Sequence, residues 1–311
     1  MIRTIVVLCM VEVYSRALPR PAMANVFTPS INNVVTPTEH ATQRHDVLTV
    51  SAIAVLVYAL ATVLHEGVGH GGACVLVHGA PRLISSMQFD CGLPDGAHGA
   101  ERIVAAGGTI ATLLGGLAAL ALYQVSRLPG GIRYSLWLFA AVNLMQGTGY
   151  LLYSGVGNVG DWAQVIQGIE PEWLWRIVLA AVGGASYYRI TLMMFAQLDP
   201  FLGEARPRRY EHGLRLAVRA YFVGAALEII AGMLNPAGFE LVLVSGIAAS
   251  LGGTAGLAWG PQMLRGTRTP SSKLEKPVCM VRRNWIIIAL AAIAGIAFIV
   301  VLGPTMALST S

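Results

Sequence analysis

Long stretches without charged side chains constrain the fold of this chain more than any other feature. A helix needs about 20 mostly apolar residues to cross a bilayer. Five stretches carry no charge over about that length: residues 47–64, 103–126, 134–160, 241–264 and 285–311. Two more contain charges: residues 177–198 hold Arg189, and residues 216–234 hold Arg219 and Glu228. The pattern predicts an all-α polytopic membrane helix bundle with about seven transmembrane helices.

Composition supports the membrane interpretation. The chain is 55% hydrophobic and only 12% charged, whereas soluble domains carry about 25% charged residues. So few charged side chains cannot cover the surface of a soluble protein of this length. The alternative, in which one or two stretches are buried helices of a soluble protein, is disfavoured because so many stretches meet the length criterion.

Basic residues divide unequally between the two ends of the predicted spans. Seventeen lysines and arginines fall on the side that holds the N-terminus, three fall on the opposite side, and Arg189 lies within a span. Cytoplasmic loops carry the excess of basic residues in membrane proteins. We therefore expect a multi-pass cell-membrane protein with a cytoplasmic N-terminus. The basic loops account for the net charge of +5, so no nucleic-acid partner is expected.

A cluster of ionisable residues ends the first predicted span. His65, Glu66 and His70 lie within six residues, in the order H-E-x-x-x-H, and ionisable groups inside membrane helices are expensive and usually functional. Two imidazoles can bind zinc, and an adjacent carboxylate can accept a proton from water. On a regular α-helix, however, residues five apart lie about 140° apart around the axis. A shared metal therefore requires a wide turn or π-bulge at Gly67–Gly69, which would bring the imidazole nitrogens to about 3–4 Å from each other.

The third predicted span supplies a candidate third ligand. Asp161 follows that span on the outer side, the side toward which His65 and His70 also lie. Two histidines and one carboxylate, with a fourth position for water, form a common catalytic zinc set. Asn143, within the same span, is a candidate for binding substrate, although an interhelical packing contact is an equally good reading.

Together these motifs resemble the site-2 protease clan of intramembrane zinc metallopeptidases, in its short bacterial branch. The resemblance covers about residues 46–200, namely the histidine-glutamate-histidine helix, the glycine-rich Ala105-Ala106-Gly107-Gly108 segment, and a third helix leading to Gly160-Asp161. It implies that His65, His70 and Asp161 bind Zn²⁺, that Glu66 activates water, and that the substrate is a membrane-anchored polypeptide. The first motif also resembles the H-E-x-x-G-H of the dipeptidyl peptidase III family, with Gly69 at the matching glycine.

The chain then divides into three parts. Residues 1–45 are expected to form a disordered cytoplasmic tail, with a cleaved signal peptide as the alternative because Ala22-Met23-Ala24 resembles a cleavage site. Residues 46–200 form the four-helix metallopeptidase-like core in the lipid bilayer. Residues 201–311 add three further transmembrane helices and a basic cytoplasmic loop. Four cysteines show no metal-type C-x-x-C pairing.

Two other functions stay open at this stage. The first is a non-enzymatic polytopic membrane protein, such as a transporter, a receptor-like subunit or an inactive protease relative, and the unusual histidine spacing is its main support. The second is a di-iron membrane oxygenase. By resemblance to the desaturase family it needs more histidines than the 7 that the chain has. Nothing in the sequence indicates an oligomeric state.

Overall fold

The computed structural model describes residues 44–203, 206–236, 251–265 and 278–308. These residues are mostly α-helical. The predicted N-terminal tail lies outside the described ranges except for its last two residues. Much of the predicted span at 241–264 and much of the basic loop that follows it also lie outside them.

Four helical segments of the described residues are long and apolar enough to cross a membrane: Val47–Leu76, His98–Val125, Glu172–Gln197 and Trp285–Leu302. They correspond to the first, second, fourth and last predicted spans. The third predicted span is a helix of 28 residues, and the fifth is a helix with a wide first turn, but neither is among those four. The helical fold is confirmed, while the number of seven membrane spans stays a prediction.

The elements follow one another from the first helix to a short C-terminal strand. In chain order they are α1 (Val47–Thr62), the π-helix π1 (Val63–Gly71), α2 (Gly72–Leu76), β1 (Ala80–Ile84), β2 (Phe89–Gly92), α3 (His98–Val125), α4 (Gly130–Gly157), α5 (Asp161–Ile166), α6 (Glu172–Gln197), α7 (Asp199–Leu202), α8 (Arg206–Gly213), π2 (Leu214–Val218), α9 (Arg219–Gly232), α10 (Gly256–Trp259), a 3₁₀-helix (Gly260–Arg265), α11 (Trp285–Ala297), π3 (Phe298–Leu302) and β3 (Met306–Ala307).

Helix α4 lies at the centre of the bundle and packs against α1, α3 and α6. Its polar aromatic side chains are buried but satisfied, because Trp137 Nε1 donates to the Met194 carbonyl at 2.8 Å and the Tyr134 hydroxyl donates to the Leu216 carbonyl at 2.7 Å. Buried donors without such partners would cost free energy. These bonds tie α4 to its neighbours and so fix the position of its C-terminal end, which leads to Asp161.

A small antiparallel sheet with strand order β2-β1-β3 follows α2. Ile84 of β1 pairs with Phe89 of β2 on one side and with Met306 of β3 on the other. A disulfide joins Cys74 in α2 to Cys91 in β2. The disulfide therefore ties the hairpin to the end of the first membrane-length helix, beside the predicted metal ligands.

Candidate metal centre

Three side chains point their ligand atoms at one another across two elements. His65 Nε2 lies 3.2 Å from His70 Nε2 and 3.2 Å from Asp161 Oδ2, and His70 Nε2 lies 3.3 Å from the same carboxylate oxygen. Two ligands at tetrahedral positions around one zinc ion lie about 3.3–3.4 Å apart, given bonds of 2.0–2.1 Å. The triangle therefore fits one metal ion, and these three residues form a group that could hold one.

The histidines meet because the helix widens between them. Residues Val63–Gly71 form a π-helix, in which residues five apart lie above one another. The two imidazole rings consequently sit edge to face, with centroids 4.8 Å apart and planes at 82°. The predicted wide turn and the predicted nitrogen separation are both confirmed.

Asp161 is placed by a tight turn between α4 and α5. Gly160 adopts φ 81°, a left-handed backbone conformation that side chains disfavour. A Cβ at this position would also lie 2.9 Å from the Tyr150 hydroxyl. Burial would raise the pKa of Asp161, but the adjacent His65 and His70 imidazoles outweigh burial and hold this pKa well below its usual range. The carboxylate is therefore ionised, as a metal ligand requires.

A backbone carbonyl orients His70. Its Nδ1 donates to the Val104 carbonyl oxygen in α3 at 2.8 Å, which leaves Nε2 as the ring atom that faces the triangle. Metal-binding histidines usually donate their second nitrogen in this way. Nδ1 of His65 is buried and has no hydrogen-bond partner among the described residues.

Helix α3 approaches the triangle through a glycine. A Cβ built on Gly108 would lie 2.5 Å from His70 Nε2 and 2.6 Å from His65 Nε2. A Cβ on Gly69 would in turn lie 2.5 Å from the Gly108 Cα. The two helices can cross this closely only because neither residue has a side chain.

Glu66, His70 and Asp161 line a cavity of about 390 Å³, together with Tyr150 and residues of the β2 strand. The Glu66 side chain is 8% exposed, and its Oε2 atom is buried without a hydrogen-bond partner in the described structure. A buried carboxylate oxygen without a partner is costly unless a ligand, water or ion serves it. The structure thus brings together the four residues that the sequence analysis named as candidates, namely His65, Glu66, His70 and Asp161.

Asn143 is not part of this assembly. It is fully buried, its Nδ2 donates to the Phe139 carbonyl at 2.8 Å, and it does not line the cavity. Seven residues separate it from Tyr150 on α4, which is about 10 Å along the helix. The packing reading of Asn143 therefore agrees with the structure better than substrate binding does.

Tyr150, and not the predicted Asn143, is the polar residue of α4 that lines the cavity. Its ring centroid lies 5.7 Å from that of His65, and its hydroxyl forms a hydrogen bond with the backbone of Asp161. The sequence signal was weak, because a tyrosine near the end of a predicted span more often anchors or packs the helix.

No protein-family model, no curated protein and no solved structure matches this chain. Functional assignment therefore depends on the site itself.

Proposed function

We propose that the protein is a membrane-embedded zinc metallopeptidase that cleaves membrane-anchored polypeptides, as in the site-2 protease clan. The observation that carries the proposal is the triangle of His65, His70 and Asp161 with separations of 3.2–3.3 Å. The donor set, with two imidazole nitrogens and one carboxylate oxygen, favours zinc among common metals and leaves a position open.

Zinc, when bound, lowers the pKa of a water and polarises a peptide carbonyl. Glu66 accepts a proton from the attacking water while the water oxygen bonds to the carbonyl carbon. The same carboxyl group then gives the proton to the amine nitrogen as the carbon–nitrogen bond breaks. The Tyr150 hydroxyl is suited to donate a hydrogen bond to the carbonyl oxygen as negative charge develops there, because it lines the same cavity.

The spacing of the histidines was the main argument for a non-enzymatic protein. The π-helix answers that argument, because it puts both imidazoles on one face despite the additional residue. The unpartnered Glu66 oxygen in the cavity adds a group that simple helix packing would not need.

The test compares Glu66→Gln with the matched exchange Glu211→Gln, whose residue is exposed on α8. Purified wild-type protein should contain about one zinc per chain and cleave a reconstituted single-span substrate. Glu66→Gln should keep the metal and lose cleavage by at least about 100-fold, while Glu211→Gln keeps both. Unchanged proteolysis in Glu66→Gln would rule out the mechanism, and a folded wild-type chain that binds no metal would favour the non-enzymatic alternative.

We further propose that the metal centre faces the extracytoplasmic side, in agreement with the charge distribution. The disulfide Cys74–Cys91 lies at this end of the first membrane-length helix, whereas Cys279 is a free thiol close to that helix's other end. Disulfides persist in oxidising compartments and are rare in the cytosol.

Labelling with a membrane-impermeant maleimide tests this orientation in right-side-out vesicles that carry the Cys9→Ser variant. Cys74 and Cys91 should react only after reduction, without permeabilisation. Cys279 should react only after permeabilisation. The reverse pattern would place the metal centre on the cytoplasmic side.

A further inference from the structure

A second cavity lies at the opposite end of the first membrane-length helix. It has a volume of about 870 Å³ and forms where the segment before α1 runs beside the segment before α11. The Asp46 N–H donates to the Val281 carbonyl at 2.8 Å, and the Asn284 N–H donates to Thr49 Oγ1 at 3.0 Å. These bonds bring the N-terminal ends of both helices to the same level.

The lining of this cavity is positively charged. Arg44, Arg282 and Arg283 line it, together with a single carboxylate, Asp46. Asp46 is already engaged, because its Oδ2 lies 2.7 Å from Arg283 Nε and its Oδ1 accepts from the Thr49 backbone at 2.8 Å.

The remaining titratable group in the lining does not offset the arginines. Burial lowers the pKa of His45 to about 4, so this imidazole is neutral at pH 7. Arg44 and Arg282 are both exposed, and they present an excess of positive charge to any group that enters. Both helices also direct the positive ends of their dipoles toward this level.

An apolar surface continues from the cavity along α11. Trp285 is 66% exposed and lies beneath the Arg283 guanidinium, whose Cζ is 5.2 Å from the ring centroid. Tryptophan favours the level of lipid headgroups. Beyond it, Ile286 and Ile293 are exposed on the same helix. A molecule that satisfies both regions has an anionic head and a long apolar tail.

We propose that this cavity binds the phosphate headgroup of an anionic phospholipid, with the acyl chains along α11. Arg44 and Arg282 contact the phosphate, and Arg283 remains paired with Asp46 and stacked on Trp285. The site is separate from the metal centre, and its existence does not depend on peptidase activity.

The experiment measures lipid binding to the purified full-length chain in neutral detergent, by native mass spectrometry and by thermal stabilisation. The probes are dioleoylphosphatidylglycerol, dioleoylphosphatidylcholine and inorganic phosphate. Wild-type protein should bind and be stabilised by the anionic lipid, with a weak response to phosphatidylcholine. The double variant Arg44→Gln/Arg282→Gln should bind the anionic lipid roughly ten- to thirty-fold more weakly.

Two further variants separate the site from general effects of charge and folding. Arg127→Gln/Arg208→Gln removes the same charge from exposed positions outside the cavity, and it should bind the lipid like the wild type. Arg44→Lys/Arg282→Lys keeps the charge and should retain most of the affinity. Equal binding by the Gln double variant, or equal losses in both Gln double variants, would overturn the proposal. Stabilisation by inorganic phosphate equal to that by the lipid would assign the cavity to free phosphate instead.

Discussion

Replacement of Gly108 by alanine places a methyl group against both candidate histidine ligands. The new Cβ would lie 2.5 Å from His70 Nε2, 2.6 Å from His65 Nε2 and 2.7 Å from His65 Cε1. Carbon and nitrogen atoms that are not bonded pack at about 3.5 Å. Both rings must therefore move by about 0.9–1.0 Å, or α3 must retreat from π1 by a similar distance.

Such a displacement is large compared with the tolerance of a zinc site. Metal–ligand distances stay within about 0.2 Å of their ideal values in working sites. The methyl group would also crowd both Nε2 atoms, which are the proposed ligand atoms. We expect a loss of zinc affinity of at least about 100-fold, which corresponds to roughly 2.7 kcal/mol.

The assay is metal content of the purified protein, followed by competition with a chelator of known zinc affinity. Gly99→Ala is the matched control, because it lies on the same helix and a Cβ there has nothing within 4 Å. Asp161→Asn is a second route to the same loss, since it removes a ligand without adding volume. Size-exclusion profiles and thermal unfolding would establish that each variant is folded. Zinc affinity in Gly108→Ala equal to that of the wild type would refute the assignment of the triangle as the metal centre.

Three further outcomes are expected. Tyr150→Phe should lower kcat by about 10- to 100-fold, with KM and zinc content little changed. The control is Tyr153→Phe, whose ring centroid lies 6.1 Å from that of Tyr150 and which should leave kcat unchanged. Equal losses of kcat in the two variants would contradict the role of the Tyr150 hydroxyl. His45 has a folded-state pKa of about 4 against 6.5 when unperturbed, so its contribution to stability is present above pH 6.5 and is lost as the pH falls toward 4. The free energy of unfolding should fall by about 3 kcal/mol over this range. The thermal unfolding temperature should therefore decrease between pH 7.5 and 4.5, and His45→Gln should make this decrease smaller. Cys74→Ser/Cys91→Ser removes a crosslink between positions 17 residues apart and should lower the free energy of unfolding by about 2–4 kcal/mol. Denaturant titration in detergent measures this change. An unchanged unfolding midpoint would show that other contacts hold the hairpin in place.

Much of the candidate metal centre could be predicted from local sequence. A wide turn between His65 and His70 follows from their spacing once a shared metal is assumed, because helical geometry leaves no other way to align them. Asp161 could be placed at the same end because span lengths and connectivity determine which loops lie together. These inferences need only distances along the chain.

Sequence could not identify which residue of α4 reaches the cavity. Asn143 and Tyr150 lie on the same helix, and of the two only Asn143 was predicted as a candidate for the site. The depth and rotation of α4 decide between them, and these are set by contacts such as Trp137 with Met194 in α6. Because these contacts join residues far apart in sequence, no local pattern encodes them.

The sequence by itself determined that the chain is helical, that several helices have membrane-spanning length, and that a histidine pair, a glutamate and an aspartate are available for metal chemistry. Only the tertiary structure decided that Gly108 lies against both imidazoles, that Cys74 pairs with Cys91, and that Tyr150 lines the cavity. The physical reason is that hydrophobicity and helical spacing act along the chain, whereas close approach between elements depends on how side chains of different helices pack.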